Sequence, residues 1–199
     1  MREAILNTAA EMFLNYGFKS VTMDDIAEKL GISKKTIYTH YSTKSKLVLA
    51  TSHHVFENIN SGIEEIRNKK QNPIQENFEI KKFVIRHLKD EKASPHFQLQ
   101  KYYPKAFESL RTRQFDLLES CISENIRRGI ESGYYREDLP IDFISRIHFV
   151  GMMGVKDKDL FPVEEYSHSE LMQYFLEYHL RAICTPKGIK ILEEILNEK

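Results

Sequence analysis

Apolar side chains recur along this chain at every third or fourth position, and nowhere do they alternate with polar ones over the length of a strand. That is the helical period, so the pattern predicts an all-α protein. Ile5, Ala9, Phe13 and Tyr16 form a first stripe, closed by Gly17 as a natural C-terminal stop. Thr22 offers an N-cap for a second helix, with Asp24 and Asp25 in its favourable first turn and Ile26, Ala27 and Leu30 on its buried side. Gly31 ends that helix. Ser33 caps a short third helix through about His40. Ser42 or Thr43 caps a fourth, which runs toward Lys70 before Asn72-Pro73 breaks it.

Beyond Pro73 the periodic segments lengthen. The spacing predicts helices over 75–90, 95–102 and 105–132, the last ended by Gly133. Another starts at Pro140 and runs through about Val155, and two more cover 167–184 and 187–197. The intervening stretch 156–166 is charged and reads as a loop. There is no Asn-Gly or Asp-Gly hairpin turn, internal repeat or low-complexity tract. The sequence therefore divides into an N-terminal domain of small helices, 1–47, and a larger helical body, 48–199.

Charge and composition narrow the classes. The 199 residues are enough for a core without a disulfide or metal staple. Lys+Arg and Asp+Glu both number 29, which excludes an overall basic coat and makes the local distribution the informative one. No apolar run approaches the roughly 18 residues of a membrane helix. The early charges of MREAILNTAAEMF argue against a signal peptide. Cys121 and Cys184 lie far apart with no CxxC pairing, which suits a reducing compartment, and the expected location is cytoplasmic.

The informative segment is Val21 to Leu47. Two helices flank Gly31-Ile32-Ser33, a tight turn with glycine where a positive φ is needed. Ala27 lets the second of them approach closely, and Ile26, Leu30, Ile32 and Ile37 point inward to fix their angle. This is helix-turn-helix spacing, with residues 2–16 as a stabilising first helix. From Ser33 to Lys46 the chain holds Lys34, Lys35, His40, Lys44 and Lys46, interleaved with hydroxyl side chains and without an acid. Lysines neutralise phosphates, while hydroxyls and helix-terminal N–H groups fix register. Exposed Lys34, Lys35, Thr36 and Thr39 on the short helix are available for base edges in a major groove. Any one lysine pair could be an ordinary solvated face; the turn, the core spacing and the acid-free basic run together point to DNA.

These residues resemble the TetR family of bacterial transcriptional regulators. The resemblance is carried by Ala9-Ala10, Phe13, Gly17-Phe18, Val21-Thr22, Ile26-Ala27, Gly31-Ile32-Ser33 and Ile37-Tyr38-Thr39-His40-Tyr41, followed by Lys44 and Leu47. The body matches in length, in helix order and in the Gly133–Leu139 turn after the long helix. The resemblance implies that 34–40 is the recognition helix. It implies that Thr22, Tyr38, His40 and Lys44 contact phosphates while Tyr41 packs mainly inside. It implies that the body binds a small effector and forms a homodimer through the last two long helices. Only Met1 and Arg2 precede the first helix, so minor-groove contacts from a basic arm are expected to be minimal.

Within the body, Phe143, Ile147, Val150, Gly151 and Gly154 share one side of a helix, and Leu171, Phe175, Tyr178 and Ala182 form a seam on another. The spacing alone fits an intrachain core as well as a dimer bundle; the resemblance favours the dimer. Phe83, His87, Phe97, Tyr102, Tyr103, Phe107, Phe115, His148 and Met152 are the candidates to line a cavity for a mid-sized, partly apolar effector, each with simple core packing as the alternative. The histidines show no HExxH motif or short paired spacing, so no metal is expected, and no cofactor. Without a Gly-rich phosphate loop, nucleophile elbow or paired-carboxylate motif, an enzyme is not expected. The reading is a repressor that binds a palindromic operator as a homodimer and is released by an effector. Two alternatives stay open: a DNA-binding regulator without a small ligand, and a helical ligand-binding protein whose helix-turn-helix is incidental.

Overall fold

The computed structural model describes residues 1–88, 95–157, 159–162 and 164–197. Among the described residues the chain forms ten α-helices: α1 (Arg2–Tyr16), α2 (Met23–Leu30), α3 (Lys34–His40), α4 (Lys44–Arg67), α5 (Pro73–His87), α6 (Pro95–Tyr102), α7 (Pro104–Glu131), α8 (Ile141–Gly154), α9 (His168–Ile183) and α10 (Pro186–Asn197). An isolated antiparallel bridge joins Tyr135 to Cys184.

Helix boundaries follow local chemistry. Asn72 and Pro73 start α5 earlier than the sequence pattern predicts. Proline at a first helical position has no N–H to leave unpaired, and Asn72 Oδ1 accepts from the Ile74 N–H at 2.9 Å. The predicted extension of this helix to residue 90 reaches beyond the described residues. Helix α4 stops at Arg67, short of Lys70, because Lys70 takes a left-handed φ of 48° and turns the chain. Of the two possible caps for α4, Thr43 takes the role: its Oγ1 accepts from the Lys46 N–H at 3.2 Å. Tyr16, expected on the first apolar stripe, is 64% exposed, since the Gly17 turn leads the chain away after Phe13 and Leu14 have been buried.

The described residues divide into two compact units. The first holds residues 1–61 and 86–114, and the second holds 62–85 and 115–199. The first is thus larger than the 1–47 domain expected from sequence, because the start of α4, all of α6 and the start of α7 join it. Its core is apolar: Ile5, Ala9, Phe13, Phe18, Val21, Ile26, Ile37, Leu47 and Val48 are buried together with Leu99 and Ala106. The second unit builds its core from Ile74, Ile122, Ile126, Tyr135, Leu176, Leu180, Ile183 and Leu192. Among the described residues no helix is long and apolar enough to cross a membrane.

Candidate nucleic-acid interface

The geometry of α2 and α3 is set by their ends. Thr22 and Asp25 form a reciprocal capping box: the Thr22 N–H donates to Asp25 Oδ2 at 2.7 Å and the Asp25 N–H donates to Thr22 Oγ1 at 3.1 Å. These bonds hold the Asp25 carboxyl below its ordinary range. Gly31 closes α2 at φ 64°, ψ 30°, the left-handed conformation, and its N–H returns to the α2 carbonyls. A Cβ there would meet nothing within 4 Å, so the demand for glycine is conformational alone. Ser33 then caps α3 by accepting from the Thr36 N–H at 3.1 Å. Ile37 anchors the short helix from below as a fully buried side chain, and Ile26 and Ala27 of α2 are buried in the same core. Leu30 and Ile32, expected to point inward, are half-buried against that core.

This scaffold presents the sequence-predicted DNA residues on one unit, but their side chains are engaged differently. Lys34 Nζ is paired with Asp24 Oδ2 at 2.7 Å, and that hydrogen bond raises its pKa. The run from Ser33 to Lys46 is acid-free in sequence, yet in space Asp24 of α2 sits on it. Thr36 Oγ1 shares a 2.9 Å hydrogen bond with Ser33 Oγ, and Thr39 Oγ1 donates to the Thr36 carbonyl at 2.6 Å. Lys35 is exposed and has no hydrogen-bond or carboxylate partner among the described residues. Tyr38, His40 and Lys46 are exposed, and so are Thr22 and Ser33, whose hydroxyls cap helices. Lys44 is half-buried; its Nζ donates to the Lys19 carbonyl at 3.3 Å, and desolvation lowers its pKa. Tyr41 is buried, with the Arg2 guanidinium 6.0 Å from its ring centre. Arg2 is the first residue of α1 itself.

The body candidates fall into both units. His87, Phe97, Tyr102, Tyr103 and Phe107 belong to the first unit, where Tyr103 and Phe107 pack against the apolar core. Tyr103 lies 6.2 Å from the Phe18 ring, and burial raises its phenol pKa. Phe83, Phe115, His148 and Met152 belong to the second. There the Phe83 ring covers Gly62, and Phe115 meets Phe149 edge-on at 5.2 Å. His148 is buried against His179, with ring centres 4.3 Å apart, and against Phe175 at 5.1 Å. Burial keeps both imidazoles neutral: it drives the His148 pKa well down and that of His179 down to about 4. His148 Nδ1 has no hydrogen-bond partner among the described residues.

Of the interface candidates, Phe143, Ile147, Val150, Tyr178 and Ala182 are exposed, Tyr178 by 74%. Gly151 allows the Phe175 ring to close on α8, where a Cβ would come within 2.2 Å of it, and Gly154 faces open space. Leu171 is buried within the unit. Tyr174, which the sequence reading did not single out, is exposed one turn before Tyr178. The partners Asp24 and His179 were also missed, because each meets its neighbour across helices and not at a recognisable spacing.

Comparison with known proteins places this geometry. Residues 5–51 match the model described as bacterial regulatory proteins, tetR family. The transcriptional activator FasR of Mycolicibacterium smegmatis is 36% identical over 64 residues, covering 32% of this chain and 29% of FasR, well under two thirds of that relative. The transcriptional repressor KstR2 of the same organism is 25% identical over 159 residues, covering 73% of this chain and 72% of KstR2. The crystal structure of a transcriptional regulator from Cytophaga hutchinsonii superposes with a TM-score of 0.73 at 18% identity, covering 92% of this chain and 98% of that one. The capped helix pair, its glycine turn and the lysine-bearing third helix coincide with the matched segment, so residues 5–51 form a domain of the kind found in bacterial regulatory proteins of the tetR family.

Proposed function

We propose that this chain is a repressor that binds a two-fold DNA operator as a homodimer and is released by a small organic effector. The observation that carries the DNA part is α3. It is held by its Ser33 cap and by buried Ile37, and it displays Lys35, Tyr38, Thr39 and His40 to solvent. A helix fixed at its ends and exposed along one side enters a major groove without reorganisation, and Lys35 is the uncommitted cation suited to a guanine edge. Thr22, Lys44 and Lys46 would hold phosphates and set register.

The homodimer rests on the second unit. Phe143, Ile147 and Val150 of α8 and Tyr174 and Tyr178 of α9 are large, apolar or aromatic, and exposed. Such a contiguous face is costly in water, and a second copy would cover it isologously. A two-fold protein reads a two-fold site, with half-sites about 34–36 Å apart or a multiple of that. The effector part rests on the buried His148–His179 pair, with Phe175 against it, Phe115 against the adjacent Phe149 and Met152 one turn on in α8, a setting for a partly apolar molecule with few polar groups. Helix α4, which begins at Lys44 and continues to Arg67, is the element proposed to couple effector binding to a phosphate contact. The effector must bind the DNA-incompetent head spacing more tightly than the competent one.

The test is selection from a random duplex library at two salt concentrations. An inverted repeat with steep salt dependence is the expected product. An enriched sequence without internal two-fold symmetry would remove the dimeric reader, and no enrichment from a ligand-stripped protein would remove the DNA-binding reading.

A further inference from the structure

The first unit carries cations outside the helix-turn-helix. Lys44 directs its ammonium at the Lys19 carbonyl, so the turn after α1 adjoins a proposed phosphate contact. Helix α6 docks on that same turn. The Lys19 N–H donates to Gln98 Oε1 at 3.0 Å, and a Cβ on Gly17, whose φ is 84°, would lie 2.3 Å from the Gln98 amide. This docking brings Tyr102 under Lys19, with Nζ 5.1 Å from the ring centre. Lys101 Nζ lies 5.5 Å from the same ring and 5.5 Å from the ring of Phe97. Neither Lys19 nor Lys101 meets a carboxylate among the described residues, whereas Lys34 and Lys29 each do.

A lysine laid over an aromatic ring has its stem ordered along apolar surface while its ammonium stays in water. An ammonium without a carboxylate still has its full charge to offer. Lys19 and Lys101 are two such groups, and the Lys44 ammonium adjoins the Lys19 backbone, so together they suit a ligand that carries several single negative charges. The two exposed rings lie beneath cations, so they serve as platforms for ammonium groups and not as stacking surfaces for unpaired bases.

We propose that Lys19 and Lys101 extend the DNA interface beyond the recognition helix and hold phosphates of the duplex flanking each half-site. This rests on the DNA-binding reading above. The consequence is a footprint longer than the sequence the protein specifies, with flanks that add affinity and carry no base preference.

The test uses the full chain and a duplex selected by the wild type from random sequence. It is prepared once trimmed to the selected repeat and once with about ten arbitrary base pairs added at each end. Removing two phosphate contacts per half-site, four per dimer, should lower affinity for the extended duplex at least about tenfold and flatten its log–log salt slope by about three to four in K19Q/K101Q. On the trimmed duplex the variant and the wild type should bind alike, and K19R/K101R should keep the extended-duplex affinity. Matching helical circular dichroism shows that each variant is folded. Equal binding of K19Q/K101Q and wild type to the extended duplex overturns the proposal, and so does an equal loss on both duplexes. A wild type that binds neither duplex overturns the DNA-binding reading and this inference with it.

Discussion

The two units both cap helix ends with polar residues, and they differ in what they bury. In the first, the buried polar side chains among the described residues are the hydroxyls of Thr51 and Ser52, while Thr22 and Asp25 on α2, Ser33 on α3 and Thr43 on α4 cap helix ends. In the second, charge goes inside. Glu76 is 1% exposed and accepts hydrogen bonds from Arg128 and from Asn125, the latter at 2.8 Å. Asn125 also donates to the Pro73 carbonyl at 3.0 Å, and the Tyr135 hydroxyl donates to Asn125 Oδ1 at 3.1 Å. Arg67 pairs with Glu64 and Glu124 nearby, and Ser123 and Ser145 share a buried hydrogen bond. A unit whose angle is set by caps and a glycine turn has many replaceable apolar neighbours. A unit whose helices are registered by a buried polar network depends on each member having its partner.

The largest test of that contrast removes one partner. Glu76→Ala leaves the Arg128 guanidinium partly buried without its carboxylate, and breaking such a pair costs about 3–5 kcal/mol. Hydrogen exchange should show the loss in α5 and α7 of the second unit while α1–α3 keep their protection. Equal loss of protection in both units would mean that the network holds the whole chain and not one unit.

Acid should also act on the second unit. An unfolded imidazole takes a proton below about 6.5, whereas the folded His179 does so only near pH 4 and buried His148 also resists it. The unfolded state therefore binds more protons as pH falls from about 6.5 toward 4, and stability is lost across that window. Above about pH 7.5 the pair contributes almost no pH dependence. Between pH 7 and pH 5 the expected loss from His179 is about 2 kcal/mol, with His148 acting in the same direction, read as faster exchange of α8 and α9 amides. A flat response over that range would show that the imidazoles are hydrated in solution.

In the first unit the comparable lever is backbone conformation. Gly31→Val has room for its side chain but not for its φ of 64°, and should cost about 1–2 kcal/mol in thermal unfolding. Gly31→Asn should cost less, since asparagine tolerates the left-handed region. If the two substitutions cost the same, the turn relaxes and the angle between α2 and α3 is not fixed there.

The same contrast explains what could be read from the sequence. Gly31, Thr22 and Ser33 act within a few residues of themselves, so their roles follow from residue type and spacing. The start of α5 at Asn72-Pro73 is equally local, and reading proline only as a breaker misplaced it by two residues. The Lys34–Asp24 pair, the seat of α6 on the Gly17 turn and the burial of Glu76 and His179 depend on which helices meet. No periodicity reports that, and charged residues buried by pairing resemble surface residues in sequence. The exposed face of α8 and α9 lies between these cases: its stripes are periodic, but the stripe does not say that Leu171 turns inward while Tyr178 turns out.

The account's central claim is that α3 reads bases while the residues around it position the backbone. Duplex selection with Lys35→Ala and Lys44→Ala beside the wild type tests it most directly. Lys44→Ala should weaken binding to all duplexes, flatten the salt slope by about one unit per half-site and return the wild-type consensus. Lys35→Ala should relax the consensus at one symmetry-related position in each half-site, at a cost of about 1–3 kcal/mol on the original sequence. An unchanged consensus with Lys35→Ala and an altered one with Lys44→Ala would contradict the assignment of α3 as the reading element.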